Sequence, residues 1–204
     1  MKETVVLIFL TISLSSVAQR NSGVKFGFSH SWIESTVTDN PQFYDHFKYD
    51  PLNSYFLGYS WNFTLGGNSS IQADLIYNSK GAVLVQTDPN YTGFSQTPPY
   101  TVNYYPLDNT SRNYFSVPIA YSYMLTAKFF VEVGAEISIT INGRNIWDFG
   151  VLAGTGYTTK YADISLRYVH GLVNSNPNEN SDIVKNRVIQ FGVTLPVFKH
   201  IKRK

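Results

Sequence analysis

Eight charged residues stand at the polar positions of an every-other-residue alternation: Lys25, Asp74, Lys80, Glu132, Glu136, Asp148, Asp163 and Arg167. Glu132 and Glu136, four residues apart on one strand face, have the spacing of a carboxylate pair that could do acid/base work or pass a proton. The same eight residues also read as an ion-pair network, with Lys25 and Arg167 balancing the acids. Charges held away from water are costly unless paired, and a narrow interior leaves little room for a substrate. The network is therefore the expectation, and no catalytic group is assigned. His30 and His170 fall near strand ends, with Ser31 and Asp45 close in sequence. No motif there joins a nucleophile, a base and an orienting group. Asp45 and His46 lack a second pair at ligand spacing, so neither a metal nor any other cofactor is expected. A different kind of chemistry, recognition, is offered by Tyr91, Phe94, Tyr100, Tyr104 and Tyr105, set among Pro89, Pro98, Pro99 and Pro106. Rigid aromatic and proline surface binds at low entropic cost. The alternatives for that stretch are strand extension and capping against Phe43, Tyr44, Phe47 and Tyr49.

The elements that position these residues are strands. Val24, Phe26, Phe28, His30 and Trp32 alternate with Lys25, Gly27, Ser29 and Ser31. The same period of two recurs at 55–63, 71–80, 115–123, 129–142, 147–157, 162–168 and 189–197. No segment carries a comparable helical stripe. The polar face is mostly Gly, Ser and Asn, the filling of a crowded interior, whereas the other face is aliphatic and aromatic. A soluble sandwich would place Lys, Glu and Thr on its wetted face. The pattern is inside-out, as in a barrel whose outer wall meets lipid.

Composition agrees. Charged residues make up 15% of the 204 residues and aromatics 16%, against about a quarter charged in an ordinary soluble domain. Net charge is +2 and no basic stripe is present, so nucleic acid is not an expected partner. Cysteine is absent, which excludes disulfides and thiolate chemistry. Lys2, the apolar run Val5 to Leu14 and the small residues Ser16-Val17-Ala18 have the form of a cleavable export signal. Residues 1–18 are read as that signal and 19–204 as the barrel domain. Long connections at 33–54, 83–113 and 173–183 alternate with short ones at 64–69, 124–127 and 158–160, while 143–145 is a tight connection on the long side. With both termini in the periplasm the long ones are external. Trp61, Phe63, Tyr121, Tyr123, Phe129, Tyr157 and Tyr161 then form one interfacial girdle, and Trp32, Tyr55 and Trp147 the other.

Ser70-Ile71-Gln72-Ala73-Asp74-Leu75-Ile76-Tyr77-Asn78-Ser79-Lys80-Gly81 resembles the third-strand motif of PorT-like outer-membrane β-barrel proteins. Tyr114-Phe115-Ser116-Val117-Pro118-Ile119 is similar to that family's proline-containing strand. Val131-Glu132-Val133-Gly134, Leu166-Arg167-Tyr168 and Asn186-Arg187-Val188-Ile189-Gln190-Phe191-Gly192-Val193 resemble its later strands. The resemblance implies an outer-membrane barrel without implying one function; the family's namesake is associated with protein export through a dedicated secretion system. Such barrels often end on an aromatic residue, whereas Phe198 is followed here by Lys199 to Lys204.

The expectation is thus an all-β chain: an eight-stranded antiparallel up-and-down transmembrane barrel with long external loops, preceded by a signal peptide. Its partners are outer-membrane lipids and other envelope or secretion proteins, its state monomeric, and its role that of a non-enzymatic scaffold or binding module. The alternatives are a membrane-embedded hydrolase or acyl-modifying enzyme using rim residues such as His30 or His170, a small-solute channel, and a soluble lipocalin-like barrel with the apolar faces turned inward.

Overall fold

The computed structural model describes residues 22–36, 47–86, 112–141, 147–173 and 183–197. Residues 1–18, read from the sequence as an export signal, the aromatic connection carrying Tyr91, Phe94, Tyr100, Tyr104 and Tyr105, and the basic tail lie outside the described residues. The strands are β1 (Gly23–Thr36), β2 (Phe47–Gly66), β3 (Ser69–Lys80), β4 (Ala82–Gln86), β5 (Arg112–Met124), β6 (Phe129–Thr140), β7 (Trp147–Thr158), β8 (Asp163–Gly171) and β9 (Ile183–Pro196).

Every pairing is antiparallel, and the ring runs β1-β9-β8-β7-β6-β5-β3-β2 and back to β1. That is a closed eight-stranded barrel, since β4 only prolongs β3 beyond Gly81. Gly81 has φ of 125°, a conformation that side-chain-bearing residues rarely adopt. There the chain leaves β5 and continues along β2 alone, pairing Ala82 with Pro51 and Gln86 with Phe47. The sheet therefore reaches farther than the alternation alone indicates, into stretches read from sequence as loop at 33–36, 47–54 and 83–86.

Register sets the barrel's shape. Ile33 faces Asn186 on β9, Gly171 on β8 faces Gly150, Gly150 faces Glu136, and Glu136 faces Pro118 on β5. Asp74 on β3 faces Ser60, which faces Gly23. A walk that leaves β1 at Ile33 thus returns to it at Gly23. A stagger of this size over eight strands tilts them by about 40°. Asp74 and Leu75 have no paired partner on β5, opposite Pro118 and Val117, where proline has no N–H to give.

The short connections have local causes. Between β2 and β3, Gly66 and Gly67 take φ of 131° and 56°, closing the hairpin. After β5, Thr126 Oγ1 accepts from the Lys128 and Phe129 N–H groups at 3.2 and 3.0 Å. After β7, Thr159 Oγ1 accepts from Tyr161 and Ala162 at 3.1 and 2.8 Å. These are hydroxyl-capped turns. Val197 N–H donates to Ser22 O at 3.0 Å, so the first and last described residues meet at this turn end of the barrel.

The faces are inverted relative to a soluble protein. Val133, Leu57, Ile119 and Phe129 are 60%, 60%, 50% and 52% exposed, whereas Lys25, Asp74, Glu132 and Arg167 are at most 2% exposed. Apolar groups outward and charges inward is the reverse of a lipocalin-like barrel with an apolar ligand chamber.

Closure and register are checked by cysteine pairs in this cysteine-free chain. Val24→Cys with Leu195→Cys, which face each other across the β1–β9 seam, is expected to cross-link on mild oxidation, as directly opposed Cβ atoms are about 5 Å apart. Val24→Cys with Val193→Cys is expected to cross-link poorly. Equal yields, read as faster gel migration, would contradict the register.

Candidate interior charge network

Glycine and serine at inward positions leave space that a few long charged side chains fill. Gly154 on β7 is the clearest case. A Cβ there would stand 2.8 Å from Glu132 Oε1 and 3.0 Å from Arg167 Cγ, so a larger residue would displace the pair.

Arg167 on β8 is the hub. Its Nε and Nη2 donate to the two oxygens of Glu132 on β6, at 2.5 and 2.8 Å. Its Nη1 donates to Asp74 Oδ2 on β3 at 2.5 Å. Strands β8 and β3 lie on opposite sides of the ring, so this contact crosses the lumen. Lys25 Nζ on β1 donates to the same Asp74 oxygen at 2.7 Å, and Gln72 Nε2 to Oδ1 at 3.0 Å. Two cations thus meet two carboxylates, and the forked guanidinium engages Glu132 in two parallel bonds.

A second network lies toward the opposite, loop end. Lys80 Nζ on β3 donates to Glu136 on β6 and to Ser138 Oγ at 2.7 Å, and stands 3.7 Å from Asp148 Oδ2 on β7. The ammonium also sits 5.1 Å from the centre of the Tyr114 ring. Asn186 Nδ2 donates to Asp148 at 3.1 Å, and Ser138, Ser116 and Asn78 form a hydroxyl-amide chain.

Between the two networks the inward positions turn apolar. Ile76 separates Asp74 from Lys80 along β3, Leu152 lies between Asp148 and Gly154 on β7, and Val188 between Asn186 and Gln190 on β9. All three are buried, as are Phe56, Ala120 and Val169. The lumen is a packed interior with an apolar waist.

Of the eight charged residues singled out in the sequence, Lys25, Asp74, Glu132 and Arg167 are brought together, as are Lys80, Glu136 and Asp148. Glu132 and Glu136 are not a carboxylate pair: each is held by its own cation. Asp163 lines a cavity of about 140 Å³ at the turn end with Asn62, Gln72, Ser122, Phe130 and Thr158. His30 and His170 face outward; His30 Nδ1 lies 2.7 Å from Asn53 Oδ1 and His170 Nδ1 3.5 Å from the Tyr168 hydroxyl. Among the described residues no cluster of His, Asp and Glu has the makings of a metal site. Sequence reasoning passed over Arg187 and the apolar waist. The waist was visible as apolar residues at inward positions of Gly- and Ser-rich strands. Arg187 had the converse signal, a cation at an outward position.

No protein-family model matches the chain, and among curated proteins none does. Solved structures similar to it include Ail, the attachment invasion locus protein of Yersinia pestis, at 10% identity over 85% of this chain and 96% of that one, with a TM-score of 0.47. Neisserial surface protein A gives 12% identity over 88% and 99%, with a TM-score of 0.46. The outer membrane protein OprG of Pseudomonas aeruginosa gives 9% identity over 88% and 95%, with a TM-score of 0.44. The barrel here is established by its own closed ring of strand pairings.

Arg167→Met leaves Asp74 and Glu132 buried with one cation fewer. It is expected to lower the unfolding free energy by about 3–5 kcal/mol, read as a lower urea midpoint. Adding Glu132→Gln to that variant should recover part of the loss. A double variant less stable than the single one would contradict the pairing.

Proposed function

We propose that the chain is an outer-membrane protein that spans the bilayer as a monomeric barrel and serves as a non-enzymatic scaffold or binding module. One observation carries this reading: the apolar residues form the exposed wall while the charges are neutralised in the lumen. Such a wall is insoluble in water and matched to hydrocarbon. The aromatic rims agree. Lys128 lies over the Tyr157 ring at 5.9 Å, Lys160 over Tyr161 at 5.4 Å, and Ser69 Oγ lies 2.7 Å from the Tyr121 hydroxyl. Rings with polar tips at one level suit a headgroup layer.

In this reading the signal-like residues 1–18 direct export, the turn end with both termini faces the periplasm, and the long connections face outward. The packed waist suits a scaffold better than a channel. Recognition then falls to the connections, above all to Tyr91, Phe94, Tyr100, Tyr104 and Tyr105, whose partners are other envelope proteins. A part in secretion is supported by the resemblance of residues 70–81 and 114–119 to PorT-like proteins and by nothing else.

The test is envelope fractionation combined with gel migration before and after heating. An outer-membrane protein with a compact unheated form is expected; a soluble periplasmic protein without that shift would overturn the reading. Val133→Lys sharpens it. On a wall in lipid this change is expected to cost about 2–4 kcal/mol near the midplane, whereas on a wall in water it would be neutral.

A further inference from the structure

We infer that the loop-end outer wall over β8, β9 and β1 binds the phosphorylated sugar head of a membrane glycolipid. The inference rests on the membrane-spanning reading and names the lipid that this wall selects. Along the described strands, the charged residues at outward positions are Glu34, Lys185 and Arg187, all on β1 and β9. Everywhere else that wall is apolar, aromatic or neutral polar. Lys185 faces Glu34 directly, and Arg187 stands between His170 and Trp32.

The height suits a headgroup. From Val24 at the turn end to Trp32 along a strand tilted by about 40° is about 20 Å. The apolar band of such barrels is about 25 Å tall. Trp32 and Arg187 therefore lie within about 5 Å of the far edge of the hydrocarbon layer, a distance that a long basic side chain spans to reach phosphate.

The local structure is shaped for a ligand with both charge and a flat face. Four rings run in a chain across the patch: His30 to Trp32 at 5.8 Å, Trp32 to Tyr168 at 6.3 Å, and Tyr168 to His170 at 6.3 Å between centres. Arg187 is 5% exposed although its position faces outward. Its Nη1 donates to Gly171 O at 2.9 Å and Asn186 O at 3.3 Å, and its Nη2 to Glu34. A guanidinium has five N–H donors, so this arrangement fixes it with donor capacity to spare. Among the described residues of the patch, two cations against one carboxylate give a net positive charge, complementary to a phosphate monoester. The aromatic faces and the histidine and Asn53 side chains suit sugar C–H and hydroxyl groups. Below the patch, exposed Phe28, Ile189 and Phe191 continue toward the turn end, a surface for acyl chains.

The test uses the full chain in phosphatidylcholine vesicles with Trp61→Phe and Trp147→Phe, leaving Trp32 as the one indole of the three in the sequence. Bis-phosphorylated lipid A, phosphatidic acid and phosphatidylglycerol are titrated separately while Trp32 emission is read. A saturable shift with lipid A, at a mole fraction about tenfold below that needed for either phospholipid, is expected for a site that reads both sugar and phosphate. Lys185→Gln should raise the lipid A midpoint about fivefold, the effect of one basic residue at a charged membrane surface. Arg187→Lys, which keeps the charge and loses the fork, should raise it too. A protein that inserts and is heat-modifiable, yet responds alike to lipid A and phosphatidic acid, or whose midpoint is unmoved by Lys185→Gln, overturns the inference alone. A protein that fails to insert removes the membrane reading and this site with it.

Discussion

The contact on which the rest of the molecule depends is the one Arg167 makes across the lumen. Its guanidinium holds Glu132 on one side and Asp74 on the other, and Asp74 in turn holds Lys25. Four strands that are not neighbours are tied through the centre by one neutral cluster. Backbone pairing closes the ring but leaves its cross-section free to flatten. A buried charge whose partner lies on the opposite wall removes that freedom, because separating the pair strands both groups away from water. The glycines facing the lumen follow from the same constraint, as Gly154 shows: the space a side chain would take belongs to the ion pair.

From this the outer face follows. A barrel whose inward positions are spent on charges, hydroxyls and glycines has only its outward positions left for apolar residues. Those cannot form a core, so they must be covered by a solvent that prefers them. The apolar waist of Ile76, Leu152, Val169 and Val188 is the exception. It separates two polar layers and packs the lumen where a pore would need to be open.

Much of this was legible in the sequence, because period two is a property of the strand itself. The face carrying Phe26 and Phe28, and the one carrying Lys25 and Ser29, follow from alternation alone. Strand number and the short turns follow from where alternation lapses, at Gly66-Gly67, at Thr126 and at Thr159. Partners were not legible. Which inward charge meets which depends on the stagger around the ring, the product of eight registers, none of which alternation specifies. Hence Glu132 and Glu136, on one face with only Gly134 between them, were rightly expected to be ion-paired, but that they belong to two separate networks could not be read from the alternation. The prolongation of β3 through Gly81 into β4 was hidden for a related reason: a positive φ breaks the alternation without ending the sheet. Arg187 was missed because outward positions were read as uniformly lipophilic.

The central claim is the inversion of the two faces, and one measurement reaches it directly. Single cysteines along β6, from Val131 to Ile137, can carry nitroxide labels in the vesicle-reconstituted protein. Their collision rates with oxygen, which partitions into lipid, and with a water-soluble nickel chelate report what each position touches. The account predicts a period-two pattern in which labels at Val131, Val133, Ala135 and Ile137 see oxygen and not nickel, with the contrast weakening toward the strand ends. Outward labels that collide freely with the nickel chelate would contradict it, and would mean that the apolar wall is covered by something other than lipid.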